Sequence, residues 1–341
     1  MSNNFLLNRV VLFSWMLVCI VLSFIDISFL GDNLEVDSNL LIEFSYSNTG
    51  LVDGSYGGTA RLFSLIPLPL ITVAVLIIGC ASLYLFMKDL RRPSSLLLAL
   101  IITAPAMVLF LVRPQKETVV LLLTMLVLYI ARSPFLLPKF KVIIIAIIYI
   151  LYGLAVRKYY LLILPVFLYL HFSSNWPWLV KVAMCLVSII LLFFLPADFF
   201  LKTQGMRDVV NYYLGTDLRI IRTAFKNPFY ADNALHFILN YLYAAIRLHI
   251  PIIFTLSYKE FLHIITVVIF ARFIIIGKDA KKCIESQICS QLIFAHILVL
   301  IIFEPDLGSY LRHLTSVFLY LTPMFILYDK HKHKRINFIW N

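Results

Sequence analysis

At 341 residues, with 62% apolar and only 14% charged positions, the chain carries more apolar surface than water can cover, because soluble globular chains hold about 45–50% apolar and about 25% charged residues. The formal net charge of +11 would suit a nucleic-acid partner, but the basic residues stand in short clusters between apolar runs, a pattern that marks membrane topology instead. The five cysteines show neither a CxxC pair nor His-linked spacing, so no disulfide framework, zinc site or other cofactor is expected.

The first apolar run, 10–30, is long enough to cross a hydrocarbon core of ~30 Å as a helix. The loop 31–62 follows, with Asp32, Glu35, Asp37, Glu43 and Asp53 and, through residue 60, no Lys or Arg. Further spans are predicted at 63–87, 94–112, 117–131, 142–156, 159–172, 178–196, 251–277, 288–303 and 314–328, about ten in all. The fold class expected is an all-α polytopic bundle in a single transmembrane domain over 1–341. With the N-terminus inside, the clusters Lys88/Arg91/Arg92, Arg132/Lys139/Lys141, Lys181, Lys278/Lys281/Lys282 and Lys330/Lys332/Lys334/Arg335 all fall on the cytoplasmic side. The basic tail 329–341 is then cytoplasmic, and 31–62 and 197–250 are external loops. Within the second of these, 234–250 is apolar but carries His236, Arg247 and His249, and reads as an amphipathic interfacial or re-entrant helix.

Three tight external turns carry charge beside apolar spans: Arg113-Pro114-Gln115-Lys116-Glu117, Arg157-Lys158-Tyr159-Tyr160, and Glu304-Pro305-Asp306-Leu307-Gly308-Ser309-Tyr310-Leu311-Arg312-His313. Taken singly, each cation reads as an interfacial anchor, since long basic side chains snorkel to headgroups. Taken together, on the side where short loops are normally poor in Lys and Arg, they predict a shared anion site. Arg offers a planar fork to phosphate oxygens, and helix N-termini offer unpaired N–H groups. A lipid-linked diphosphate lies at this depth. Glu304, Asp306 and His313 are candidate general bases for a sugar hydroxyl. The alternative for the two acids is a helix cap and an ion pair with Arg312. The acidic first loop reads as solvated surface.

The third turn, followed by an apolar span, resembles the C-terminal motif of oligosaccharide repeat-unit polymerases, the O-antigen polymerases of the Wzy type. The other two turns are similar to charged turns in such proteins, and the length and the large late external loop agree. The resemblance implies a GT-C-like helical glycosyltransferase of the bacterial inner membrane. Such an enzyme moves a glycan from undecaprenyl diphosphate to the next lipid-linked repeat unit at the periplasmic face, without a metal. Its diphosphate ligands here would be Arg113, Lys116, Arg157, Lys158 and Arg312, with secondary substrate contacts at Tyr159, Tyr160, Arg219, Arg222, Arg247 and His249. Membrane lipids, a chain-length regulator and a flippase are the implied partners, and nucleic acid is not. Two rival readings stand beside it. One is a glycosyltransferase using a polyprenyl-monophosphate sugar, with Glu35 or Asp37 catalytic. The other is a non-enzymatic carrier or flippase, disfavoured by the near absence of mid-span charge and of repeated halves.

Overall fold

The computed structural model describes residues 3–25, 32–46, 55–216, 224–254, 258–280 and 283–337. These are helical nearly throughout, and the one β-type contact among them is a single bridge between Ala224 and Asp306. In chain order the helices are α1 (Asn3–Phe24), α2 (Asp32–Tyr46), α3 (Ser55–Phe63), α4 (Ile71–Met87), α5 (Pro93–Ala106), α6 (Lys116–Arg132), α7 (Pro138–Ala155) and α8 (Tyr160–Phe172). There follow α9 (Trp178–Leu192), α10 (Ala197–Phe200), α11 (Met206–Thr216), α12 (Ala234–His249), α13 (Tyr258–Asp279), α14 (Ile284–Phe303), α15 (Leu307–Ser316) and α16 (Thr322–Asn337).

Six of the described helices are long and apolar enough to cross a membrane: Leu6–Phe24, Leu68–Met87, Pro93–Leu111, Pro138–Ala155, Glu260–Asp279 and Ile284–Phe303. Ten spans were expected. The runs at 117–131, 159–172 and 178–196 do fold as helices, but α6, α8 and α9 hold 17, 13 and 15 residues. After α9 the chain turns by 110° into Ala197–Tyr212, with Pro196 at the start of the second helix. Local chemistry sets the helix starts. Pro93 and Pro138 open α5 and α7 at a position where the missing N–H costs nothing, and a Gln115/Thr118 capping box opens α6. Pro105 lies inside α5 just ahead of a π-helical stretch, Met107–Leu111, that leads into the first charged turn.

α14 is the central helix, packed against α6, α8, α12 and α13. Its contact with α13 is close because Gly277 leaves the space that a Cβ would take 2.6 Å from Ser290 Cβ. The outer helices are apolar on both faces. On α7, Val142, Ile145 and Tyr149 are buried while Phe140, Ile143, Ile147 and Leu154 are exposed, and α9 buries no residue at all. Helices that are hydrophobic all round need a hydrocarbon solvent.

Bonds between helix ends sort those ends into two faces. At one face Asn8 donates to the Met87 and Lys88 carbonyls, and the Arg91 N–H donates to Asp329. There Arg132 also pairs with Glu285 at 2.7 Å, and Lys141 donates to the Ala131 carbonyl. This face holds the basic clusters at 88–92, 132–141 and 330. The start of α1 and the Asp329 region of α16 both belong to it. The twenty residues of α14 then carry the chain ~30 Å to Glu304 at the opposite face, where the three charged turns meet.

Candidate functional site

Glu117 is the centre of the opposite face. It sits in the first turn of α6, where the helix dipole favours an anion, and it is fully buried. Arg157, in the turn between α7 and α8, donates Nη2–H to Glu117 Oε1 at 2.9 Å and Nη1–H to the Tyr159 hydroxyl at 3.1 Å. From α15, Arg312 Nε lies 3.7 Å and His313 Nε2 lies 3.2 Å from the same Glu117 oxygen. His313 Nδ1 is hydrogen-bonded to Glu304 Oε1. His313 thus has a carboxylate oxygen opposite each ring nitrogen. Three turns far apart in sequence therefore converge on one carboxylate.

α15 is oriented by its cap. Asp306 Oδ1 accepts the Ser309 N–H at 2.9 Å, which starts the helix at Leu307 and brings Arg312 and His313 into its second turn. Asp306 is thus committed to the backbone, and its burial raises its pKa. The first acidic segment closes the cluster from above. Arg312 Nη1–H donates to Asp37 Oδ2 at 2.7 Å, and the Tyr56 hydroxyl donates to Asp37 Oδ1 at 2.8 Å. The Lys116 ammonium lies 3.7 Å from the centre of the Tyr56 ring. The α3 backbone can approach α7 so closely because residue 58 is glycine, where a Cβ would stand 2.7 Å from Val156 Cα and closer still to the Ala155 carbonyl oxygen.

Burial opposes the charge on Arg312, but Glu117 and Asp37 outweigh it and hold its pKa above the ordinary value. Burial also pushes the Glu304 carboxyl up, yet the charge and hydrogen bond of His313 pull it down further, and the net shift is downward. For Lys116 the same carboxylates do not suffice: burial first, and then Arg312, outweigh Glu117 and Asp37 and lower its pKa to about 8. Among the described residues, Glu117 Oε2, Glu304 Oε2 and Arg157 Nε are buried without a hydrogen-bond partner. An orphan set of this kind is costly unless a further group engages it.

Of the residues singled out from sequence, Lys116, Arg157, Tyr159, Glu304, Arg312 and His313 come together. Arg113 instead donates to the Ile25 carbonyl at 3.0 Å, and Lys158 is exposed. Tyr160 packs into a buried aromatic core with Tyr149, Tyr152 and His296. Arg247 stacks over Phe254, and His249 accepts or donates through Nε2 to the Tyr310 hydroxyl at 3.2 Å. Arg219 and Arg222 lie outside the described residues. Asp37 corrects the expectation that the first loop is only solvated surface. Sequence reasoning missed Glu117 and Tyr56 as site members. Glu117 was legible as the one acid inside a basic turn at a helix start, whereas nothing local marks Tyr56.

No family model, no curated protein and no solved structure matches this chain.

Proposed function

We propose that the chain is a membrane glycosyltransferase that polymerises lipid-linked oligosaccharide repeat units, gripping the carrier diphosphate at the face opposite its basic clusters. The observation that carries this reading is the meeting of Arg157, Arg312 and His313 on buried Glu117. On this reading the chain crosses a bacterial inner membrane ten times, with both ends cytoplasmic as the positive-inside rule requires, and the cluster faces the periplasm. The carrier's apolar tail stays in lipid while its diphosphate reaches Arg157, Arg312 and Lys116.

The chemistry follows from the charges. When the anomeric carbon leaves its diphosphate, negative charge builds on the departing oxygen. Cations already fixed in a partly dry site stabilise that charge without reorganising. Holding donor and acceptor in one plane adds a proximity term. The acceptor hydroxyl must lose a proton, and the cluster narrows the choice of base. Asp306 caps α15, and both ring nitrogens of His313 are already engaged by carboxylates. Glu117 Oε1 is tied to two guanidinium groups and to His313. Glu304, like Glu117, has an unpartnered Oε2, but its other oxygen meets His313 where that of Glu117 meets three groups, and its lowered pKa leaves it ionised at neutral pH. We assign the proton to Glu304.

The test is polymer length in a strain depleted of this chain and complemented with variants. Arg157→Ala and Arg312→Ala are expected to give single repeat units in place of long polymer, with the protein still present in the membrane. Normal polymer in both variants overturns the reading. The position of Asp37 gives a second reading a foothold: a polyprenyl-monophosphate-dependent transferase with Asp37 as base. Asp37→Asn separates the two. Loss of transfer equal to that of Glu304→Gln favours the second, and retained transfer favours the first.

A further inference from the structure

The described part of the segment that follows α9 packs on the end of α14. Arg207, on α11, is fully buried and has almost every donor committed to the end of α14. Its Nε–H donates to the Glu304 carbonyl at 2.9 Å, and Nη2–H donates to the Ile301 and Ile302 carbonyls at 2.5 and 3.0 Å. Its Nη1–H donates to Asn227 Oδ1 at 2.7 Å, and its plane lies over the Phe225 ring. Asn227 is in turn fixed by Asp208 and by the Gln204 carbonyl. The following turn is stapled by the same segment: the Phe225 N–H donates to the Pro305 carbonyl at 3.2 Å, and the Asn211 side chain donates to the Phe225 and Pro305 carbonyls.

Two physical facts make this arrangement specific. The last four carbonyls of a helix have no partner within it, and a cation at the C-terminus is favoured by the dipole. A simple cap would need one donor and no burial. Here burial lowers the guanidinium pKa to about 10, and yet a whole fork is spent on three carbonyls in one turn. The last of those carbonyls belongs to Glu304, whose carboxyl meets His313.

We infer that Arg207 is a positioning residue, holding the end of α14 so that the Glu304 carboxyl stands between His313 and the acceptor hydroxyl. The inference rests on the assignment of Glu304 in the proposed reaction. In that step the acceptor oxygen bonds to the anomeric carbon, the bond from that carbon to the diphosphate oxygen breaks, and the electron pair leaves with the diphosphate. The hydroxyl proton passes to Glu304 Oε2. Arg207 touches none of the reacting atoms. It fixes the backbone from which the base projects.

The experiment is a double-mutant cycle on the full chain in reconstituted liposomes. The substrate is undecaprenyl-diphosphate-linked oligosaccharide extracted from the strain lacking this chain, and initial rates are measured across substrate concentration. Arg207→Lys keeps the charge and loses the fork. It is expected to lower kcat by about a hundredfold, the scale of a misplaced reacting group, with KM unchanged. In a Glu304→Gln background the same change is expected to do nothing more, because the group it positions is already gone. Asn227→Ala loosens Arg207 without burying an unpaired charge, and is expected to lower kcat by about fivefold with the same non-additivity. It carries the test if Arg207→Lys does not reach the membrane. Equal losses in both backgrounds mean a merely structural role and overturn the inference, as does wild-type kcat in both single variants. Those results leave the assignment of Glu304 standing. Full activity in Glu304→Gln overturns the assignment and the inference together.

Discussion

Replacing Glu117 by Gln removes one negative charge from the point where Arg157, Arg312 and His313 meet, and keeps shape and volume. The Glu117 and Arg157 side chains are 0% and 2% exposed, so water screens little of what is lost. Removing one partner of a buried pair leaves the other charge uncompensated, at a cost of roughly 3–5 kcal/mol. For a chain of this size, each kcal/mol moves the melting temperature by about 2 °C, so Glu117→Gln should melt on the order of 6–10 °C below the parent protein. The measurement is thermal unfolding in detergent, followed by tryptophan fluorescence and by recovery of monodisperse protein. Lys202→Ala is the control. Its pair with Asp198 spans 4.0 Å between side chains 81% and 78% exposed, and its loss should leave melting unchanged. Added pyrophosphate should restore part of the loss in Glu117→Gln, and more than it stabilises the parent, because the freed cations bind the anion. If Glu117→Gln melts within a degree of the parent, the claim that this carboxylate organises the three turns is wrong.

Other consequences follow from the same geometry. With Lys116 lowered to about 8, the folded chain sheds a proton between that value and the ordinary 10.5 which the unfolded chain still holds. Stability should therefore rise with pH across that window, while KM for lipid-linked substrate should rise from pH 7 to 9 as the ammonium is lost. Lys116→Arg should abolish the KM trend, and a flat profile in the parent would refute Lys116 as an anion ligand. Gly58→Ala should drive α3 off the end of α7 and cost about 1–3 kcal/mol of stability, read as a lower melting temperature. Arg113→Ala and Lys158→Ala, which alter residues placed at the Ile25 carbonyl and at the exposed surface, should leave polymer length normal on a gel, in contrast to Arg157→Ala and Arg312→Ala.

Much of the fold was legible because its signals are local. Twenty-residue apolar runs, prolines at helix starts and clusters of Lys and Arg each act within a few residues, and Asp306 ahead of Leu307 announced the start of α15. The site was half legible for the same reason. A basic residue in a short turn on the wrong face stands out without any knowledge of its neighbours. Its partners do not. Asp37 resembles any acid of a soluble loop, and only its contact with Arg312, at 275 positions' separation, gives it meaning. Arg207 in sequence is one more loop cation, and only its burial against the end of α14 sets it apart from exposed Lys202 a few residues earlier. Span length misled in the other direction. α9 passed the composition test, but it buries nothing, because an all-apolar segment carries no information about which face it packs.

The balance of charge decides how an anion could enter. Lys116, Arg157 and Arg312 are three cations, Glu117, Glu304 and Asp37 are three carboxylates, and His313 stands between two of the latter. A cluster so nearly neutral has little field to spare for an arriving diphosphate, so at the two arginines the anion must displace a carboxylate that already holds the cation. Glu117 is the worst candidate for displacement, being wholly buried under two arginines. Glu304 is held by its bond to His313, and its backbone is fixed by Arg207. Asp37 is the exception, since its side chain is 26% exposed and it rests on a separate helical hairpin. Arg312 is therefore the cation most easily transferred from protein to ligand. Such an exchange would release the α2–α3 hairpin from α15 as the diphosphate binds, and would make the outer cover of the site depend on its occupant.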